Sequence, residues 1–241
     1  ESIMVNIIIG AIALGLLWGI MTLGVHLSYR ILDVADLSVE GTITTGGATA
    51  AVLISNGVNA WLACLVALVA GLIGGLVTAI LHTKLKIPAL LAGILTMTAC
   101  YSINLRIMGK ANIPLPTTGS NKVETVFTPV HDLMKSLVGE YDENSSMAWL
   151  LDILVSKNFS AMLVGIVVVI VLSVIMYWFF GTELGCAIRA TGNNQQMVRA
   201  QGISTTLMII ICLMLSNGLV AFSGALIAQY QAYADIQMGI G

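Results

Sequence analysis

Charged side chains are scarce in this sequence. Asp, Glu, Lys and Arg make up 9% of its 241 residues, whereas 58% are hydrophobic; a soluble domain has roughly 25% charged residues. The mean hydropathy is +0.96, and the charges are gathered in a few stretches between long uncharged runs. This distribution excludes a water-soluble domain and predicts an all-α, polytopic transmembrane helical bundle.

Signatures of catalysis and of cofactor binding are also missing. The chain has no G-x-x-x-x-G-K-[ST] sequence, so it is not itself an ATPase of that type. It has no HExxH motif, no nucleophile elbow and no paired carboxylates in its apolar runs, which argues against a membrane enzyme. The four cysteines follow no metal-binding spacing, and the net charge of −2 without a basic block argues against nucleic acid as a partner. We expect no catalytic residue, cofactor or metal site in this chain.

Five uncharged apolar runs are long enough to cross a hydrocarbon core of roughly 30 Å as helices. They cover residues 3–25, 60–81, 87–105, 159–180 and 204–228. A sixth segment, 41–55, is shorter and rich in Thr and Gly, so it would expose hydroxyl and backbone groups to lipid. We therefore predict a single transmembrane domain over residues 1–241 with at least six membrane segments, of which the sixth lies inside the bundle.

Two glycine pairs have the four-residue spacing that lets helix backbones approach closely. Gly15 and Gly19 lie in the first run, and Gly71 and Gly75 lie in the second. The spacing predicts helix packing at both places and says little about function.

Basic residues in the short connections predict the orientation of the bundle. When the spans alternate, these basic residues fall on one side: Arg30, Lys84, Lys86, Arg189 and Arg199. By the positive-inside rule this side is cytoplasmic, and the long loop 106–158 is extracytoplasmic. In this loop, apolar residues at helical spacing over 147–155 predict a short helix on the outer surface of the bundle. This helix is either a docking surface for an outside partner or ordinary loop packing.

A polar stretch, 181–203, connects the fourth and fifth runs on the predicted cytoplasmic side. Gly192 is placed to end a first short helix in the left-handed conformation, and Asn193 is placed to cap a second, with Gln196 three residues on. Gly202 is placed to stop that second helix. The stretch therefore predicts two short helices in a compact projection, and these local signals alone favour a structured connector as much as a docking element.

A second polar element, 36–41 with the sequence DLSVEG, precedes the Thr-rich segment. Ser38 is placed to cap that helix, and Glu40 puts negative charge in its first turn, where the helix dipole favours it. Helix capping and a direct role in transport both remain open for this element. Asn104 and Asn217 lie in spans, where we expect them to form hydrogen bonds across helices or to line a pathway.

Three stretches together resemble permeases of the branched-chain amino acid and ribose class of ABC importers. The polar stretch matches the cytoplasmic coupling region of that family at Ala187, Ile188, Arg189, Ala190, Gly192, Asn194, Ala200, Gly202 and Ile203. The element from Asp36 to Gly41 and the run from Asn217 to Leu226 resemble two further family motifs. The order and spacing of the three stretches along the chain agree with those of the family motifs. The resemblance covers most of residues 5–241, and within the class the chain looks closest to tryptophan/tyrosine-type permeases.

The resemblance implies a type II-like permease in the bacterial plasma (inner) membrane that moves a small solute, with aromatic amino acids favoured, into the cytoplasm. Implied partners are cytoplasmic ATP-binding subunits, which would carry ATP and Mg²⁺, an extracytoplasmic solute-binding protein and a second permease subunit, in a homodimer or a pseudo-symmetric heterodimer. Family members usually continue with further spans after the position of Gly241, so the resemblance places a C-terminal part beyond it.

The resemblance also implies roles for individual residues. The coupling region, residues 182–203 here, would seat on the ATPase, with Arg189 and Arg199 pairing with acids and with Ile188 and Met197 as apolar anchors. The candidate ATPase-coupling residues are Ile188, Arg189, Gly192, Asn193, Asn194, Met197, Arg199 and Gly202. The candidate structural or pathway residues are Asp36, Ser38, Glu40, Gly41 and Asn217.

An ion-coupled secondary transporter is the alternative class. Such a protein would have a related second half, an ion site at a broken helix or intramembrane acids with partners. The short segment 41–55 is compatible with it, but acids are missing from the centres of the runs and the polar stretch 181–203 would have no role.

Overall fold

The structure of the chain, a computed structural model, describes residues 2–116, 123–138 and 148–239. Their helices are α1 Ser2–His26, continued by a π-helical turn Leu27–Ile31, α2 Ser38–Ser55, α3 Ala60–Thr83, α4 Ala89–Met108, α5 Thr128–Val138, α6 Ala148–Val155, α7 Lys157–Gly181, α8 Glu183–Asn193, α9 Gln195–Ala200 and α10 Thr205–Gln231. Two short strands, β1 Asn112–Pro114 and β2 Tyr233–Asp235, complete the described fold.

Five of the described helices, α1, α3, α4, α7 and α10, are long and apolar enough to cross a membrane. Each coincides with one predicted run to within three residues at either end, so the five predicted spans are confirmed. Local contacts fix their ends. The Asn59 side chain accepts the Trp61 N–H (2.9 Å) at the start of α3, and Ser156 Oγ accepts the Phe159 N–H (3.2 Å) at the start of α7.

Helix α10 is the centre of the bundle. In its most apolar stretch 72% of the residues are buried, against 22% to 33% in the four other membrane-length helices. It packs against α1, α2 and α3. The other four helices therefore turn most of their apolar surface outward, where lipid is the fitting solvent.

Helix α2 lies inside the bundle, as its Thr- and Gly-rich sequence predicts. Most of its residues are buried, and it packs between α3, α4 and α10. It begins at Ser38, three residues before the predicted segment, and its start lies beside Asn217, near the middle of α10. The preceding residues 32–37 are not helical. Non-helical backbone at this depth is stable only when protein groups satisfy its hydrogen bonds.

The two glycine pairs behave differently. A methyl group at Gly71 would overlap the carbonyl oxygen of Asn217, and one at Gly75 would overlap that of Leu213, so α3 and α10 are in backbone contact at both positions. At Gly15 and Gly19 a methyl group would meet no atom of the described residues within 4 Å. The packing prediction is confirmed for α3, whereas the pair Gly15 and Gly19 packs against nothing among the described residues; α1 approaches α10 at Gly24 instead, where a methyl group would lie 2.7 Å from Ser216 O.

The side opposite to α8 and α9 carries the strand pair and the two short helices α5 and α6. Strand β1 pairs antiparallel with β2, with Ile113 opposite Ala234. Helix α6 packs against α1 and α7, which confirms the short helix predicted over 147–155 for its residues 148–155, while Met147 lies outside the described residues. The strand pair and α5 were not predicted.

Candidate functional site

Two short helices, α8 and α9, form the predicted projection between α7 and α10. Thr182 caps α8, since its Oγ1 accepts the Gly185 N–H (3.3 Å). The cap of α9 is Asn194, whose Oδ1 accepts the Met197 N–H (3.1 Å). The predicted cap at Asn193 is therefore wrong by one residue. Asn193 is still helical, whereas Asn194 has an extended backbone (φ −155°) that separates α8 from α9.

The two glycines of this region have different roles. Gly202 follows α9 with φ +79°, and its N–H donates to Arg199 O (3.0 Å), which confirms the predicted helix stop. Gly192 was predicted to be left-handed as well, and this is wrong, because it lies inside α8 and has no positive φ. Glycine is needed there for close approach, since a methyl group would overlap the carbonyl oxygen of Ile31.

Gly192→Ala is expected to destabilise the contact between α8 and the end of α1. The added methyl group meets a backbone oxygen that cannot move away by rotating a side chain, and such overpacking costs about 2 kcal/mol. Gly181→Ala is the matched control, because a methyl group there has nothing within 4 Å among the described residues. Thermal unfolding in mild detergent compares the two variants, and equal midpoints would contradict the assigned contact.

The apolar residues predicted to anchor a partner separate into two environments. Ile188 has no exposed surface and packs in a cluster that includes Leu27 and Ile209, so its predicted role as an anchor on the partner is wrong. Its position on α8 turns it toward the bundle rather than toward the outside. Met197 is 47% exposed and remains available as an apolar contact.

The two arginines lie on the exposed side of the projection. Arg189 Nη2 donates to Phe180 O (2.8 Å), and its guanidinium lies 6.0 Å from the centre of the Phe180 ring. Arg199 Nε donates to Thr205 Oγ1 (2.9 Å). Neither forms an ion pair with an acid among the described residues, so each keeps guanidinium N–H groups for an outside acceptor.

A polar network joins the start of α2 to α10. Asp36 Oδ1 accepts the Ser38 N–H (2.8 Å), and its Oδ2 accepts an N–H of Asn217 Nδ2 (2.7 Å). Asn217 Oδ1 in turn accepts the hydroxyl of Thr42 (2.7 Å). All four residues are buried, with Asp36 the least so at 9% exposed. The network confirms the cross-helix bond predicted for Asn217, and Thr42 is a member that sequence reasoning missed.

The cap of α2 differs from the predicted one. Ser38 is the first helical residue, and its hydroxyl donates to Asp36, so Asp36 rather than Ser38 satisfies a free N–H of the first turn. A carboxylate at this place also has the favourable sign for the helix dipole. The sequence assigned the cap to Ser38, and the network gives this structural role to Asp36 instead.

A cavity of about 390 Å³ lies on the other side of the same helix start. It is lined by the first turns of α2 from Glu40, by α4 between Met97 and Asn104, and by Ile236 after β2. Asn104 reaches α2 across this wall, because its Nδ2 lies 3.5 Å from Gly41 O, at the outer limit of a hydrogen bond. The sequence motif 36–41 thus has a buried network on one side and a cavity on the other.

Comparisons with known proteins agree with the resemblance. The model of the family described as "Branched-chain amino acid transport system / permease component" matches residues 7–241. A tyrosine transport system permease protein of Clostridioides difficile is 37% identical over 234 residues, which are 97% of this chain and 68% of that protein. An autoinducer 2 import system permease protein of Salmonella typhimurium is 26% identical over 86% of this chain and 51% of its own length.

A third relative is a fructose import permease protein of Bifidobacterium longum, 25% identical over 78% of this chain and 46% of its own length. No solved structure is significantly similar to the chain. The names of the three relatives describe transport of three chemically different solutes.

Proposed function

This chain belongs to the branched-chain amino acid transport system permease family, a family of multi-pass membrane proteins, and from this premise we propose that it is the membrane-spanning subunit of an ATP-driven importer for an amino acid. ATP hydrolysis then takes place on separate cytoplasmic subunits, which hold ATP and Mg²⁺. An extracytoplasmic solute-binding protein delivers the solute, and a second copy of the chain completes the pathway. The cytoplasmic side is the one that carries α8 and α9.

One observation carries the proposal: α8 and α9 form a fixed projection, on whose outer side Arg189 and Arg199 have no acid partner among the described residues and keep guanidinium N–H groups for an outside acceptor. Side-chain caps hold the start of both helices, and Ile188 and the close contact at Gly192 fix the pair to the bundle. A rigid projection transmits the motion of an ATPase better than a flexible loop does. Met197 with the two arginines supplies an apolar contact and positive charge, the combination that suits an acid-rimmed groove on that partner.

The solute class follows from the relatives. The tyrosine transport permease is more similar to this chain than the autoinducer and fructose permeases are, and the alignment with it covers almost all of the chain. We therefore favour an amino acid, and among amino acids an aromatic one. Discrimination between solutes is shared with the solute-binding protein.

Uptake by reconstituted vesicles tests this function. The chain is purified with its ATP-binding subunits, inserted into liposomes, supplied with its solute-binding protein outside and loaded with ATP and Mg²⁺ inside. We expect accumulation of L-tyrosine that requires internal ATP, and no accumulation of fructose. Accumulation by the chain alone, driven by a proton or sodium gradient, would show a secondary transporter and refute the proposal.

Met197→Glu is expected to weaken the binding of the ATP-binding subunit by at least about tenfold, because it puts a charge where an apolar contact is proposed. Leu137→Glu is the matched control, since Leu137 is 72% exposed on α5, on the opposite side of the bundle. Co-purification of the tagged chain with its ATPase measures the difference. Equal recovery of the ATPase with the two variants would contradict docking through α9.

A further inference from the structure

The cavity beside the start of α2 has an unpaired acid on its wall. Glu40 is partly buried, and among the described residues its carboxylate makes no hydrogen bond and no ion pair. The neighbouring wall is near the middle of α4, at Met97 and Cys100, which contact Gly41. A carboxylate at such a depth is costly unless a cation or hydrogen-bond donor accompanies it. The position of Glu40 in the first turn of α2 offsets part of this cost.

A second group on the same wall has an unused acceptor. Asn104 has no exposed surface, and its Oδ1 has no hydrogen-bond partner among the described residues. Buried amide oxygens are almost always hydrogen-bonded, so an unpaired one marks a place for a donor from outside the chain. This observation is independent of the helix start, because Asn104 belongs to α4.

The rest of the polar wall offers acceptors and few donors. The hydroxyls of Thr44, Thr98 and Ser102 donate to backbone carbonyls of their own helices, which leaves their oxygen lone pairs toward other groups. No Lys, Arg or His lines the cavity within the described residues. An anion would therefore find no charged partner there, whereas an ammonium group would find three kinds of acceptor.

The remaining surface is apolar or aromatic. Met97, Tyr101 and Ile236 contribute to it, and the volume of about 390 Å³ is within the range of pockets for small molecules, about 300–1,000 Å³. The cavity thus combines an acceptor-rich end with an apolar body.

We infer that this cavity is the site in the membrane subunit that holds the protonated amine of the transported solute, with Glu40 and Asn104 Oδ1 as its acceptors. The inference rests on the proposed import of an amino acid, and it adds the place in the membrane subunit where the ammonium group of that amino acid binds. Glu40 makes a charge-assisted hydrogen bond to the amine, Asn104 makes a neutral one, and Tyr101 and Met97 contact the apolar side chain. The solute's carboxylate is not bound by charge in this cavity.

Equilibrium binding to the purified chain in lipid nanodiscs, without ATP or ATPase, tests the inference. The probes are L-tyrosine, tyramine, which keeps the amine and lacks the carboxylate, and 4-hydroxyphenylpropionate, which keeps the carboxylate and lacks the amine. We expect the two amines to bind and the acid to bind at least about tenfold more weakly, since a hydrogen bond to a charged group is worth that factor or more.

Two variants locate the binding. Glu40→Gln is expected to weaken tyramine binding by at least about tenfold, and Glu183→Gln, which neutralises an exposed acid in the first turn of α8, is expected to leave it unchanged. Asn104→Leu is expected to weaken binding while changing thermal stability little, because its Oδ1 has no partner among the described residues and its Nδ2 reaches Gly41 O only at 3.5 Å. A merely structural Asn104 would instead lower stability on replacement.

Three results would overturn the inference: equal binding of tyramine and 4-hydroxyphenylpropionate, equal effects of Glu40→Gln and Glu183→Gln, or displacement of tyramine by sodium or potassium ions, which would make the cavity an inorganic cation site. The importer proposal fails separately. Binding that follows the prediction in a chain that shows no ATP-driven uptake would refute the importer alone, and uptake with unchanged binding in Glu40→Gln would refute the cavity alone.

Discussion

Asn217→Leu is expected to lower the free energy of unfolding by about 3 kcal/mol, because it leaves the buried carboxylate of Asp36 without its partner on α10. The Asn217 amide donates to Asp36 Oδ2 (2.7 Å) and accepts from Thr42 (2.7 Å), and leucine provides neither group. The side chain has no exposed surface, so water does not replace these bonds without opening the bundle. Reversible denaturation in mixed micelles measures the change.

Asn59→Leu is the control for this variant. Asn59 also makes one well-formed amide contact, to the Trp61 N–H (2.9 Å), but it lies in the exposed turn before α3, where loss of a helix cap costs about 1 kcal/mol. A double-mutant cycle of Asp36→Ala and Asn217→Ala is expected to give a coupling energy of about 1–3 kcal/mol. The network would be contradicted if Asn217→Leu lowered the free energy of unfolding no more than Asn59→Leu does and if the cycle gave no coupling energy between Asp36 and Asn217.

Alanine substitutions in the two glycine pairs are expected to change stability in opposite directions. Gly71→Ala and Gly75→Ala place a methyl group against backbone carbonyls of α10, and each is expected to destabilise the chain by about 3 kcal/mol. Gly15→Ala and Gly19→Ala meet nothing within 4 Å among the described residues, and each is expected to stabilise α1 by roughly 0.5–1 kcal/mol through helix propensity.

The four glycine variants share spacing, substitution and helical context, so the two members of each comparison differ only in what the methyl group meets. Unfolding of the four variants under identical detergent conditions checks the prediction. Destabilisation by Gly15→Ala of the same size as by Gly71→Ala would contradict the backbone contact assigned between α3 and α10 at Gly71.

The membrane-length helices could be predicted from sequence because each is an uncharged run bounded by a local signal, such as Asn59 before α3 or Ser156 before α7. The interior position of α2 was also predictable, since its hydroxyls and glycines do not suit lipid. Which residue caps α2 was not, because Asp36 and Ser38 are both suitable capping types and lie two residues apart. Asn217, far along the chain, decides between them.

Contacts between distant segments account for the remaining errors. Gly192 was predicted to end a helix because glycine is common at helix ends. In the structure it is needed for another reason: the carbonyl oxygen of Ile31, on another helix, leaves no room for a side chain at this position. Ile188 is an apolar residue in a polar stretch, and the sequence does not say which side of α8 meets the bundle. The β1–β2 pair joins Ile113 to Ala234, and strands of three residues carry too little pattern to be recognised.

Labelling of Cys186 tests most directly whether α8 and α9 face the cytoplasm and an ATPase. Cys186 is exposed on α8, whereas the other three cysteines, Cys64, Cys100 and Cys212, are buried, so the native chain can be used with Cys186→Ser as the blank. A membrane-impermeant maleimide is expected to label inside-out vesicles and not intact cells, and added ATP-binding subunit is expected to protect the thiol. Labelling of intact cells from outside, or full labelling of inside-out vesicles in the presence of bound ATPase, would contradict the proposed docking of this projection on an ATPase.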